Sequence, residues 1–271
     1  MSIISMKKIM LLGRYCFAVA VIASGVQQLV TGHFVRLVPP LPSWISWPSL
    51  WAYLVGAALI VAGLLILSGK MPRLATTVLG AMFVATFVFQ RVPEILSNPS
   101  AGFVWTNPCK VLTLLGGAII LAATLPDENP RGFVWTRKLL PMGSIFLGLF
   151  LVLCGVQHFV YADFVVTLVP GWIPPGRLFW AYFAGVALIG GGVGVLVPAT
   201  VRWAGTLSGL MILLWVPLLH IPKALANPRD PGETSAIFEA LALSGVAFLV
   251  AGGGRFVKES NHALPANGSR H

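Results

Sequence analysis

Charge is scarce in this chain. Of 271 residues only 10% are Asp, Glu, Lys or Arg, and the acidic ones number 8. A soluble domain keeps about a quarter of its residues charged, so a soluble globular class is excluded. Cysteine is nearly absent as well: Cys16, Cys109 and Cys154 form an odd set with no CxxC spacing. That argues against a disulfide framework and a dithiol redox centre, and leaves three small side chains that pack as hydrophobes. No His-x-x-His occurs, and no nucleophile–base pair, paired carboxylates or cofactor fingerprint stands out. Haem or metal is therefore not expected. The run Gly190-Gly191-Gly192 and Gly194 lies in apolar surroundings with no strand before it, so it reads as close helix packing and not as a phosphate loop.

What the chain has is hydrophobic length. Hydrophobic residues make up 57% of it, and its mean hydropathy is +0.87. A bilayer-crossing helix needs about 20 mostly apolar residues. Eight segments meet or approach that length, at 9–30, 50–68, 72–90, 108–125, 139–160, 178–197, 200–220 and 234–253. The stretches between them are rich in Pro, Asn, Gly and charge, as loops outside hydrocarbon are. The fold class expected is all-α integral membrane.

The segments also repeat. Residues 51–99 lie on residues 180–228 without a gap, and 18 of the 49 pairs are identical, among them Trp51/Trp180, Gly56/Gly185, Gly63/Gly192, Arg73/Arg202, Pro93/Pro222 and Asn98-Pro99/Asn227-Pro228. Upstream, Gly25-Val26-Gln27 matches Gly155-Val156-Gln157. This predicts two parallel-repeat four-helix bundles, a first membrane repeat at 1–127 and a second at 128–254, followed by a disordered polar tail at 255–271. Lys7 and Lys8 ahead of the first apolar stretch resemble a secretion signal, but that segment has a mid-chain partner at 139–160, so it is expected to remain as a membrane helix.

With the N-terminus in the cytoplasm, 12 Lys and Arg fall on the inner side and 6 on the outer. The positive-inside rule then favours both termini in the cytoplasm. The net charge of +10 is spread over loops that this rule populates anyway, so membrane lipid is the expected partner and nucleic acid is not.

A helix ending in Gly155-Val156-Gln157-His158-Phe159, a loop carrying Leu168-Val169-Pro170-Gly171-Trp172-Ile173-Pro174, and Trp180-Ala181-Tyr182 opening the next helix resemble the DoxX-like (DoxX/DoxD) membrane proteins. His33-Phe34, Leu37-Val38-Pro39-Pro40 and Trp51 echo the pattern in the first half. Members of that family typically carry one four-helix unit, so the chain looks like a tandem fusion. The resemblance implies a redox-associated subunit of the bacterial inner membrane, with other redox subunits as partners and a quinone as a possible cofactor. It supplies no catalytic residues to carry over.

Polar residues inside hydrocarbon are costly and often functional. In the second half they are Gln157, His158, His220 and Glu239, expected to converge between the fifth, seventh and eighth segments near the outer face, with Lys223 or Asp163 at the rim. Helix rise places all three segments' polar residues at similar depth. A carboxyl–imidazole pair is the expectation there. The first-half equivalents Gln27, Gln28, Arg91 and Lys110 form a secondary set without a carboxylate. Singly, such end-of-helix groups also fit snorkelling to the interface. Apolar walls with a few convergent polar groups suit a quinone or another amphipathic small molecule. A small-molecule permease or channel, or a scaffold with no ligand, remains open beside it.

Overall fold

A computed structural model of the chain describes residues 3–38, 45–100, 102–125 and 133–263. They form eleven α-helices: α1 (Ile3–Thr31), α2 (Pro48–Ser68), α3 (Pro72–Thr86), α4 (Val92–Ser97), α5 (Phe103–Thr124), α6 (Phe133–Val160), α7 (Ala162–Leu168), α8 (Arg177–Leu196), α9 (Val201–Trp215), α10 (Ile221–Ala226) and α11 (Pro231–Ala263). Eight spans are long and apolar enough to cross a membrane, and they match the eight segments read from hydropathy. The protein is an all-α, multi-pass membrane protein.

Helix starts follow from local chemistry. Pro48, Pro72 and Pro231 stand at the first helical position, where the missing N–H costs nothing. Asp230 caps α11, its Oδ1 accepting the Gly232 N–H at 2.7 Å. At the other end of a helix, Arg14 of α1 reaches across to the last turn of α2. Its Nε and Nη2 donate to the Ile66 and Leu67 carbonyls at 2.7 and 2.8 Å, a cation on the carbonyl-rich terminus of the neighbouring helix.

The third and seventh spans are longer than hydropathy suggests, Pro72–Ser97 and Val201–Ala226. In each, a five-residue π-helical turn joins two α-helices, at Phe87–Arg91 and at Val216–His220. The shared prolines Pro93 and Pro222 follow within two residues. A proline ring collides with the carbonyl four residues back, and a widened turn there accommodates it. Pro217 does not end the seventh span: the helix passes through it within the π turn and continues to Ala226.

The expected partition into two separate four-helix bundles, 1–127 and 128–254, is not how the helices pack. α1 lies along α2 but more extensively along α11, and α5 lies along α6 as well as α3. α11 touches α1, α5, α6 and α9, while α1 and α5, first and last spans of the same half, barely meet. The last span of each half is accordingly central. Of their membrane windows, 72% is buried for α11 and 61% for α5, against 22–33% for the flanking spans containing α2, α3, α8 and α9. Close approach is set by glycine. A Cβ on Gly13 would lie 2.8 Å from the Gly245 carbonyl oxygen, and one on Gly245 2.9 Å from that of Gly13. In the glycine run of α8, Gly192 and Gly194 abut Gly148 and Ala204, whereas Gly190 faces open space.

α11 continues as helix to Ala263, past the start expected for the polar tail, because residues 255–259 include good helix formers; residues 264–271 lie outside the described ones. The proline run 39–42 also lies outside them. Just before it, Val35, Leu37 and Val38 are buried, so the chain leaving α1 folds back over the helix ends. The second half fills the corresponding place with α7, which buries Val165; Trp172, in the loop that follows, is exposed.

Candidate functional site

The one buried carboxylate expected in the second half, Glu239, points inward from α11 and meets a cation. Its Oε2 lies 3.0 Å from Nζ of Lys110 on α5, and the two side chains keep only 14% and 19% of their exposure. The expected imidazole partner is replaced by the amine of the first half's equivalent residue. α5 and α11 pack against one another at the centre of the molecule, so a lysine stands nearer than either histidine-bearing helix brings its ring. Lys110 was read only as a member of the secondary set.

His220, in the π turn of the seventh span, is half-buried and within electrostatic reach of Glu239, Lys223, Glu233 and Arg36. Lys223 on α10 pairs with Glu233 in the first turn of α11, Nζ to Oε1 at 3.8 Å. Arg36, in the loop after α1, reaches over the start of α11, where a Cβ on Gly232 would lie 2.8 Å from its Nη2. The result is a row of polar side chains along the start of α11, a corridor in charge: Arg36, Glu233 and Lys223 around its first turn, His220 within electrostatic reach of them, and Lys110–Glu239 six residues further along the helix. Lys110 and Lys223 each have a carboxylate partner, which a low-dielectric setting demands. Arg36 and Glu233 escaped the sequence reading. Glu233 was legible only as an acidic group suited to a helix N-terminus, and Arg36 as an ordinary loop residue.

Gln157 and His158 do not join this corridor. His158 Nδ1 lies 2.8 Å from the Cys154 carbonyl of its own helix, and its Cβ packs toward Gly185 of α8. Gln157 binds the start of α5: its Nε2 donates to the Gly102 carbonyl at 2.9 Å, and its Oε1 accepts from Thr106 Oγ1 at 2.8 Å. Gln27 does the same to the start of α11, its Nε2 donating to the Pro231 carbonyl at 2.8 Å and its Oε1 accepting from Ser235 Oγ at 3.0 Å. These glutamines are helix-to-helix clamps. Gln28 is fully buried and donates to the Ala52 carbonyl at 2.7 Å, while its Oε1 has no partner in the structure. Arg91 pairs with Glu94 one turn on. Asp163, in the first turn of α7, has no part in the corridor's ion pairs, and His33 is an exposed loop residue. Among the described residues no group of three or more His, Cys, Asp or Glu is placed to hold a metal ion.

Comparison with known families places two matches on this frame. Residues 9–91 match the DoxX family. That stretch is similar to DoxX. Residues 147–252 match a domain of unknown function, DUF8561, and no curated protein or solved structure matches the chain. The DoxX-like stretch holds Gln27, Gln28 and Arg91 and ends in the first π turn. The second match holds Gln157, His158, His220 and Glu239. Lys110 lies between the two matched stretches, so the buried ion pair ties the second matched segment to a helix outside the DoxX match.

Proposed function

We propose that this DoxX-like protein is a redox-associated subunit of the bacterial inner membrane that binds a quinone or another amphipathic small molecule at the outer leaflet, in the corridor ending at Lys110–Glu239, with both termini cytoplasmic. The observation that carries this reading is a half-buried, charge-compensated ion pair, with His220 within its electrostatic reach, in a body otherwise almost wholly apolar. A quinone presents polar carbonyl oxygens on an apolar ring and tail. Lys110 would donate a hydrogen bond to such an oxygen, and the flanking His220 and Glu239 offer groups that accept or release a proton during reduction. The DoxX match and the family's association with membrane redox assemblies support the same class. Between the basic inner ends and this site polar groups are sparse in the inner halves of the spans, which supports a site open to one side over a transmembrane path.

The test is binding. The purified protein in lipid nanodiscs is titrated with a short-chain ubiquinone analogue, following tryptophan fluorescence, and native extracts are searched for co-purifying quinone by mass spectrometry. Saturable binding is expected, weakened about tenfold or more in Lys110→Met, the loss of one charge-assisted hydrogen bond. Absence of both saturable binding and bound quinone overturns the reading.

A further inference from the structure

At two places the structure brings equivalent positions of the halves into contact, and the residues that meet there are unlike. Lys110 and Glu239 are 129 residues apart, the spacing of the repeat, and they bond to one another. Gly117 and Val246 are also 129 apart, and a Cβ on Gly117 would lie 2.6 Å from Val246 Cγ2. Under a twofold, residues on the axis meet their own counterparts, and residues off it make each contact twice. The off-axis contacts are doubled in this way. Gln27 clamps Pro231 and Ser235, and Gln157 clamps Gly102 and Thr106, the same four atoms in each case. The approach of Gly13 to Gly245 recurs as that of Gly143 to Gly116, where a Cβ on Gly116 would lie 2.9 Å from Gly143 Cα.

We infer that the halves pair as a quasi-dimer about an axis running between α5 and α11, and that the two axial contacts are complementarity locks. One is a lock of charge, Lys110 with Glu239. The other is a lock of volume, Gly117 with Val246, whose side chain is fully buried. Identical halves could not make either. Two lysines or two glutamates on the axis would bury like charges without relief, and two glycines or two valines would leave a void or a collision. What the axis requires is unlikeness, so it is immaterial which half carries the cation and which the larger side chain.

Exchange of partners tests this in the full-length protein. Lys110→Glu, Glu239→Lys and the double exchange K110E/E239K are compared by thermal unfolding in detergent. Each single reversal is expected to lower the Tm by about 5 °C or more, and the double exchange to recover over half of the combined loss. A double exchange that loses as much as the two singles together overturns the charge lock. Gly117→Val, Val246→Gly and G117V/V246G form a second cycle with no charge in it, with recovery again expected in the double. Should a single reversal fail to accumulate, accumulation of K110E/E239K counts as recovery, and its failure to accumulate overturns the charge lock too. Because the readout is stability, the result is independent of whether a quinone binds in the corridor.

Discussion

At the residue scale, nearly every polar side chain carried into the apolar body answers a specific backbone or charge need. Gln27 and Gln157 each bind a carbonyl and a hydroxyl at the start of a helix in the opposite half. Leucine at either position would remove two hydrogen bonds while the Ser235 and Thr106 hydroxyls keep their bonds to the Pro231 and Gly102 carbonyls, a loss of about 1–3 kcal/mol. Q27L and Q157L should destabilise by similar amounts, since their bonds are alike; chemical unfolding in detergent would show it, and loss from only one of them would contradict the equivalence. Arg14 serves differently, as a cation on the last carbonyls of α2. Arg14→Met removes two charge-assisted bonds while keeping most of the stem, and we expect a loss of about 1.5–3 kcal/mol by the same measurement. Neither effect was visible in the sequence. A glutamine near a helix end reads equally as a group snorkelling to the interface, and only the neighbour's position separates the two.

At the element scale, the helices were legible and their joints were not. Composition and length located all eight spans, because about 20 apolar residues in a row leave little alternative in hydrocarbon. The π turns at Phe87–Arg91 and Val216–His220 were invisible, although Pro93 and Pro222, the residues that call for them, stand in the sequence. Hydropathy does not register backbone winding. Replacing Gly13 by leucine should show what the glycines do: with a backbone oxygen 2.8 Å from the added Cβ, α1 and α11 must separate. Overpacking of this kind costs about 1–3 kcal/mol or more. G13L and G245L should both lower the Tm, whereas Gly190→Leu, with nothing within 4 Å of its Cβ, should leave it nearly unchanged. Equal losses at all three would refute the packing role.

At the scale of the whole molecule, α11 buried against α1, α5, α6 and α9 makes the halves a single body. One cooperative unfolding transition is expected in calorimetry of the detergent-solubilised protein, and two well-separated transitions would show independent halves. The proposed orientation has its own test in spheroplasts. Single cysteines at 130 and 260 should resist a membrane-impermeant thiol reagent, and one at 45 should react; the reverse pattern would invert the topology.

What the sequence determined by itself is what a one-dimensional record of solvation and spacing can hold. It held the all-α membrane class, the eight spans, the DoxX resemblance, and the positions where polarity recurs: Gln28 with His158, Arg91 with His220, Lys110 with Glu239. It did not hold partnership. Helix rise and depth placed Gln157, His158, His220 and Glu239 at similar heights, but height says nothing about rotation or about which helix stands next. The tertiary structure brought α5 to α11, so Glu239 found the amine of Lys110 in place of an imidazole, and turned Gln157 and His158 away to other neighbours. The cause is that hydrophobic burial is non-directional: it drives helices together by area, while the glycines, the clamping amides and one buried ion pair decide which faces meet.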